Sequence, residues 1–151
     1  MDWADHLPDV EETKQRRRDA LAKFRTGEDF SLLASLKTTN AFVAGIGLHP
    51  LDWKVPKFEI GYWCRMAYQS QGYVTEAVRA LTQTGFEVLG AKRIQICCDA
   101  RNLRSRRVAE KAGYSQEATL KDDMLAPDGK LRDTVIYTLL PGEYARLSLK
   151  S

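Results

Sequence analysis

Cysteine, histidine and proline are scarce in this chain, and long apolar runs are absent. Three cysteines occur, Cys64, Cys97 and Cys98. An odd number with two adjacent members in a β-like run argues against a disulfide framework. There is no CxxC pair, and His6 and His49 stand alone. Metal-ligand spacing is therefore lacking, no metal is expected, and the thiols read as buried structural residues. No stretch approaches the ~18 apolar residues of a membrane span. The early residues Asp2, Asp5, Asp9, Glu11 and Glu12 leave no apolar region for a secretory signal, so the expected setting is the cytoplasm. Repeats, low-complexity tracts and linkers are missing too. The 151 residues suit one domain, 1–151, with a proper core. Charge of one sign hardly dominates, at net +3. The basic cluster Lys14, Arg16, Arg17 and Arg18 falls in a helical pattern without interleaved aromatics, so it reads as a solvated face rather than a nucleic-acid surface.

What is present is a regular alternation of elements. Asp9 and Glu12 have the spacing of a capping box, and a helix is expected to about Arg25, stopped by Gly27. Its apolar side is thin, with Leu21, Phe24 and Ala20. Phe30–Leu36 and Ala41–Leu48 read as a hairpin turned by 37–40. A loop follows from Pro50 to Pro56. Lys57–Met66 alternates as a strand, with Phe58, Ile60, Tyr62, Cys64 and Met66 on one side. After the polar turn 69–72, a helix is expected over Val74–Leu89. Its buried stripe comprises Val74, Ala77, Val78, Leu81, Gly85, Val88 and Leu89. Lys92–Cys98 is the next strand. Asn102 can cap a helix over Leu103–Ala112 that ends at Gly113. Tyr114–Leu125 and Leu131–Leu140 form a last hairpin, turned by Pro127, Asp128 and Gly129, and a short helix starts near Gly142. The fold class is mixed α/β (α+β) around one sheet.

A strand, a glycine-containing turn and an amphipathic helix meet at Gln69–Val74. The first N–H groups of a helix lack internal partners, and the helix dipole adds positive charge there. Gly72 lets backbone approach an anion closely. Alone, the feature reads equally as an ordinary turn.

A signature at the turn and four words in order give a more specific signal. Gln69-Ser70-Gln71-Gly72-Tyr73-Val74 resembles the Q/R-x-x-G-x-G/A signature of the GNAT N-acetyltransferases. Glu59-Ile60-Gly61-Tyr62-Trp63 and Gly72-Tyr73-Val74-Thr75-Glu76-Ala77 resemble the strand and helix-start words of its RimJ/RimL, ribosomal-protein acetyltransferase-like branch. Residues 102–113 (NLRSRRVAEKAG) and 128–133 (DGKLRD) match the branch's next helix and its last turn. Together the four words lie within about residues 41–147. The resemblance implies a GNAT-type, mostly antiparallel sheet flanked by helices, with a splayed parallel strand pair that binds acetyl-coenzyme A. Two departures accompany it. Val74 stands where the signature has a small residue, and the family's usual first strand and helix have no counterpart ahead of residue 9. An uncovered sheet edge there leads to the expectation of a homo-oligomer, a dimer.

Site residues follow from the same resemblance. Backbone at Cys64, Arg65 and Met66 is expected to bond pantetheine amides, much as an added strand would. Gln71, Gly72, Tyr73, Val74 and Thr75 are expected around the pyrophosphate. Asn102 is expected to contact pantetheine as well as to cap its helix, and Arg107, with Arg106 or Lys111, to reach the 3′-phosphate. The attacking amine must be neutral. A lysine amine of pKa ~10.4 lies about three units from that at neutral pH, roughly 4 kcal/mol, whereas an α-amine near ~8 lies much closer. Glu59 is the expected general base, its alternative being an ordinary strand carboxylate. The helix tyrosine that protonates the thiolate in many relatives is Ala109 here. Ser105 is the expected substitute, unless it only bonds local backbone. Three acceptor readings stay open. They are a protein N-terminal amine, a small amine such as a polyamine or aminoglycoside with Asp122 and Asp123 as acidic walls, and an acyl-coenzyme A-binding module without turnover. Trp53 and its loop are expected on the acceptor side.

Overall fold

The computed structural model describes residues 9–49, 52–126 and 128–149. Helix α1 spans Val10–Thr26 and begins in the expected capping box. The Asp9 carboxylate accepts from Glu12 N at 2.8 Å, and Glu12 accepts from Asp9 N at 3.0 Å. Two otherwise orphaned helix donors are thereby satisfied. Gly27 ends the helix at φ 72°, a left-handed conformation that costs glycine little. No residue of α1 is buried. The helix rests on the sheet through Phe24, whose ring meets Phe30 edge-on at 5.0 Å.

Strands β1 (Phe30–Ser35), β2 (Phe42–Leu48) and β3 (Lys57–Cys64) form an antiparallel meander. Helix α2 (Tyr73–Glu87) carries the chain to β4 (Arg93–Asp99), which lies parallel to β3. Helix α3 (Leu103–Lys111) leads to the hairpin β5 (Ser115–Leu125) and β6 (Leu131–Leu139), and α4 (Pro141–Ser148) follows. The sheet order is β1-β2-β3-β4-β6-β5, antiparallel everywhere except at β3/β4. This is the expected mixed fold.

The even-numbered face of β3 carries Phe58 and Ile60, which meet Leu48, Ile94, Ile96, Val78, Tyr137 and Leu139 in the core. Each side chain removed from water at this level contributes about 1.5–3 kcal/mol. Boundaries differ from expectation where polar contacts outweigh periodicity. β3 stops at Cys64, and Met66 enters a 3₁₀ turn, Met66–Tyr68, where it is 87% exposed. In α2 the buried residues are Val78, Leu81, Thr82 and Gly85, while Val88 is 74% exposed beyond the last turn. Thr82 is buried because its hydroxyl has two partners, the Val78 carbonyl and the Tyr114 hydroxyl, both at 2.7 Å. In the loop before β3, Pro50 and Leu51 lie outside the described residues, as does Pro127 in the last turn.

Candidate active site

β3 and β4 are register partners only from Lys57↔Arg93 to Glu59↔Gln95, yet β3 runs on to Cys64 and β4 to Asp99. The two parallel strands therefore part after Glu59. Above the parting, on the α2/α3 side, lies a cleft of about 440 Å³. One wall is Tyr62, Trp63 and Cys64 of β3; the opposite wall is α3.

The N-terminus of α2 opens into this cleft. Gly72 is its cap at φ 90° and offers no side chain to the helix amides. A Cβ added at Gly72 would meet nothing within 4 Å, so the backbone faces open space. Ser70 also has positive φ, 62°. The turn is held by side chains: Gln69 Nε2 donates to the Cys64 carbonyl at 3.3 Å and Gln71 Nε2 to the Ala67 carbonyl at 2.9 Å. Across the cleft, Arg104, Arg107 and Lys111 lie at helical spacings of three and four along α3. No carboxylate lines the cleft among the described residues. Uncapped helix amides opposite a stripe of three cations suit a ligand carrying several phosphates.

Gly72, Tyr73, Val74, Thr75, Asn102, Arg107, Cys64 and Ser105 all line the cleft. Others do not. Arg65 turns back to the Phe42 carbonyl at 3.0 Å, Gln71 serves the turn, and Met66 faces solvent. Arg106 leaves the cleft altogether. Its guanidinium bonds the Tyr137 hydroxyl at 3.1 Å, on the far side of α3. Asn102 caps α3, accepting from Ser105 N at 3.1 Å. Ala109 is fully buried in the core. Trp53, expected on the acceptor side, is instead a structural bracket whose indole N–H donates to the Gly27 carbonyl at 2.8 Å. Asp122 and Asp123 are exposed on β5 and line neither described cavity.

Two cleft residues escaped the sequence reading. Arg104 Nη1 donates to Gln69 Oε1 at 2.5 Å, joining α3 to the turn. Tyr62 reaches across from β3, its hydroxyl 2.9 Å from Ser105 Oγ and 3.0 Å from the Ser105 carbonyl. Burial, only partly offset by the Ser105 hydrogen bond, pushes the Tyr62 phenol up to about 12. With the carbonyl as acceptor for the phenol proton, Ser105 Oγ–H donates to the Tyr62 oxygen. Alternation along β3 signals Tyr62 only as a core position; its pairing with Ser105 depends on a contact 43 residues away.

Glu59 lies on the opposite face of the sheet. Its Oε2 accepts from Gln95 Nε2 at 2.9 Å and from the Cys97 thiol at 3.3 Å. Burial, with the carboxylate beside it, drives Cys97 up to about 12. The same face carries a second cavity, of about 710 Å³, between α1 and strands β1–β3. Gly45 and Gly61 contribute to its floor, Trp63 and His49 to its walls, and Arg16 and Arg17 to its α1 side. Both arginines are exposed.

The parted parallel strands and the turn before α2 lie within the residues matched by comparison with known families. Residues 1–115 match the model of the acetyltransferase (GNAT) domain. The chain belongs to the GNAT acetyltransferase family. YdaF of Bacillus subtilis strain 168, provisionally named a ribosomal N-acetyltransferase, is 37% identical over 99 residues, covering 66% of this chain and 54% of YdaF. The chain thus spans about half the length of that relative. A Vibrio cholerae structure, provisionally described as a ribosomal-protein-serine acetyltransferase, superposes with a TM-score of 0.75 at 25% identity, over 88% of this chain and 76% of that one. A variant of spermidine N-acetyltransferase SpeG from the same organism shares the fold at 12% identity and a TM-score of 0.79, over 89% and 79% of the two chains.

Proposed function

We propose that this chain is an acetyl-coenzyme A-dependent N-acetyltransferase whose acceptor is a protein N-terminal α-amine. The observation that carries the reading is the parted β3/β4 pair, with an uncapped helix start on one side of its cleft and three cations on the other. Acetyl-coenzyme A, when bound, supplies the acyl group as an activated thioester. The backbone amides of Gly72–Thr75 and the side chains of Arg104, Arg107 and Lys111 are the groups that would hold its phosphates. The parted edge of β3 offers main-chain partners for the pantetheine amides, as a sheet edge does for an added strand.

Ser105 and Tyr62 form the only hydroxyl pair joining the two cleft walls among the described residues. Tyr62 stays protonated throughout the neutral range and fixes Ser105 Oγ, a hydroxyl that can turn to hydrogen-bond a departing thiolate, whose proton comes from the attacking ammonium. The acceptor side is the cavity on the Glu59 face. No carboxylate lines it among the described residues, and Arg16 and Arg17 stand at its edge. That charge suits a peptide better than a polycation, because like charges raise the energy of a spermidine-type substrate there. An α-amine also loses its proton more readily than a lysine side chain.

The lack of disulfides among Cys64, Cys97 and Cys98 supports a reducing, cytoplasmic setting. Edge strand β1, with Leu33 70% exposed, supports assembly with a second copy. The test of the acceptor is competition between hexapeptides with a free α-amine and spermidine, followed by thiol release. The expected result is higher kcat/KM for the peptides and none for their N-formylated forms. Preference for spermidine would overturn the acceptor assignment.

A further inference from the structure

We infer that His49, oriented by Asp29, is the group that takes the proton from the attacking amine. This rests on the acetyltransferase reading above. Strand register continues one step beyond Phe30↔Leu48 and Leu48↔Ile60 to align Asp29, His49 and Glu59, and Glu59 pairs in turn with Gln95. His49 N donates to the Glu59 carbonyl at 2.8 Å. These four residues make one polar row, two of them on β3 and β4 and two just outside the ends of β1 and β2, on the face opposite the coenzyme cleft.

Within the row the partners divide. Glu59 is committed to Gln95 and Cys97, and it lines neither cavity. His49 lines the acceptor cavity, and its Nδ1 lies 2.9 Å from Asp29 Oδ2. The other Asp29 oxygen accepts from the Ser31 hydroxyl at 2.6 Å, which fixes the carboxylate. A carboxylate only accepts, so Nδ1 carries the proton and the lone pair of the neutral ring is on Nε2.

The neighbouring row explains where Nε2 points. Gly47 and Gly61 are register partners on the same face. A Cβ at Gly47 would lie 2.6 Å from His49 Cε1, and one at Gly61 would lie 3.2 Å from His49 Nε2. The imidazole therefore leans over bare backbone, with Nε2 over the Gly47/Gly61 pair, 3.1 Å from a Cβ at the first and 3.2 Å from one at the second. Gly61 is two residues past Glu59, the last β3 residue paired with β4. Nε2 thus lies over the β2/β3 row two residues past the last β3/β4 pair, on the acceptor side, and the coenzyme cleft opens on the other side. The charged groups that face the ring are Asp29 beside β1, Glu59 on β3, and Arg16 and Arg17 across the cavity on α1.

In the reaction, the amine nitrogen bonds to the acetyl carbonyl carbon and the carbon–sulfur bond breaks. Of the two protons that leave the ammonium, one ends on sulfur and the other passes through Nε2 to solvent. Imidazole suits this role because one ring nitrogen is held by a carboxylate while the other keeps a lone pair to accept a proton.

Bromoacetyl-coenzyme A tests the placement without any acceptor. It presents an electrophilic carbon at the acetyl position, and a nucleophile within reach displaces bromide. The protein is treated with the reagent, digested and mapped by mass, with coenzyme A binding measured calorimetrically on the same preparation. The expected result is one label on His49, blocked by excess coenzyme A, absent from His49→Gln and slowed in Asp29→Asn. With a turned-over peptide, His49→Gln is expected to lower kcat about 10²-fold or more while leaving coenzyme A binding unchanged. Labelling confined to Cys64, Cys97 or Cys98, or no labelling by a protein that binds coenzyme A, overturns the role of His49 and leaves the function standing. Failure to bind coenzyme A overturns both.

Discussion

At the scale of single residues, the cleft separates groups that hold protons from groups that hold charge. Tyr62 is kept protonated by burial, and Ser105 is its partner at 2.9 Å. A thiol has an ordinary pKa of ~8.5, so its anion leaves without much help. Ser105→Ala and Tyr62→Phe are therefore each expected to reduce kcat by less than the roughly 10² that a required acid would supply. Single-turnover kinetics read this directly, and a larger loss would make the hydroxyl pair indispensable. The three thiols form a second group. Burial raises Cys64, Cys97 and Cys98 alike, with Glu59 adding to the effect at Cys97. Because the thiolate is the reactive form, all three are expected to react with iodoacetamide at pH 8 more slowly than a free cysteine, as mass-resolved time courses would show. Residues whose role comes from their own local segment, such as Gly72 before α2 or Asn102 before α3, were legible in the sequence. Asp29 and His49 were not. They are 20 residues apart, and only the pairing of β1 with β2 brings them together. Arg106 and Arg107 were indistinguishable by type, and the helical turn alone sends one to Tyr137 and the other to the cleft.

At the scale of elements, glycines on the acceptor face of β2 and β3 set the site's shape. Gly47 has both the His49 ring and the Phe30 carbonyl 2.6 Å from where a Cβ would be. The carbonyl belongs to backbone and cannot swing away. Gly47→Ala is expected to cost about 1–3 kcal/mol as an overpacking change, measured by denaturant unfolding. Full stability in that variant would mean that β1 moves freely against β2. The end of β4 gives a pH-dependent term. Hydrogen bonds from Arg101 hold the Asp99 carboxyl below the usual carboxylate range, and Arg132 adds to them. A depressed folded-state pKa stabilises the fold above the unfolded value of ~3.9, and the contribution is lost as pH falls through the folded value. The melting temperature of Asp99→Asn should therefore lie below that of the parent at pH 6, and the two should converge near about pH 2. The gap should be small because the pair is partly solvated. The element order was legible because helices and strands differ in apolar period. Element ends were less so. Met66 continues the alternation of β3, but the chain has already turned there, and Val88 continues the stripe of α2 past the last residue that packs.

At the scale of the whole molecule, one sheet separates two cavities, and the opening between β3 and β4 connects their functions. The cation-lined cleft lies on the α2/α3 side and the glycine-floored cavity beneath α1 on the other. In the proposed reaction the coenzyme and the amine would approach β3 from opposite faces. The resemblance carried by residues 41–147 indicated the first cavity. The second was not legible, because its lining comes from α1, β1, β2 and β3 together, and no continuous segment encodes it.

The central claim is that the cleft at the start of α2 binds acetyl-coenzyme A, and calorimetric titration of that ligand into the wild type and Gly72→Asp tests it most directly. The account predicts saturable one-to-one binding by the wild type, lost when a carboxylate is placed among the amides that face the phosphates. Circular dichroism would confirm that both proteins are folded. Equal binding by the two proteins, or none by a folded wild type, would contradict it.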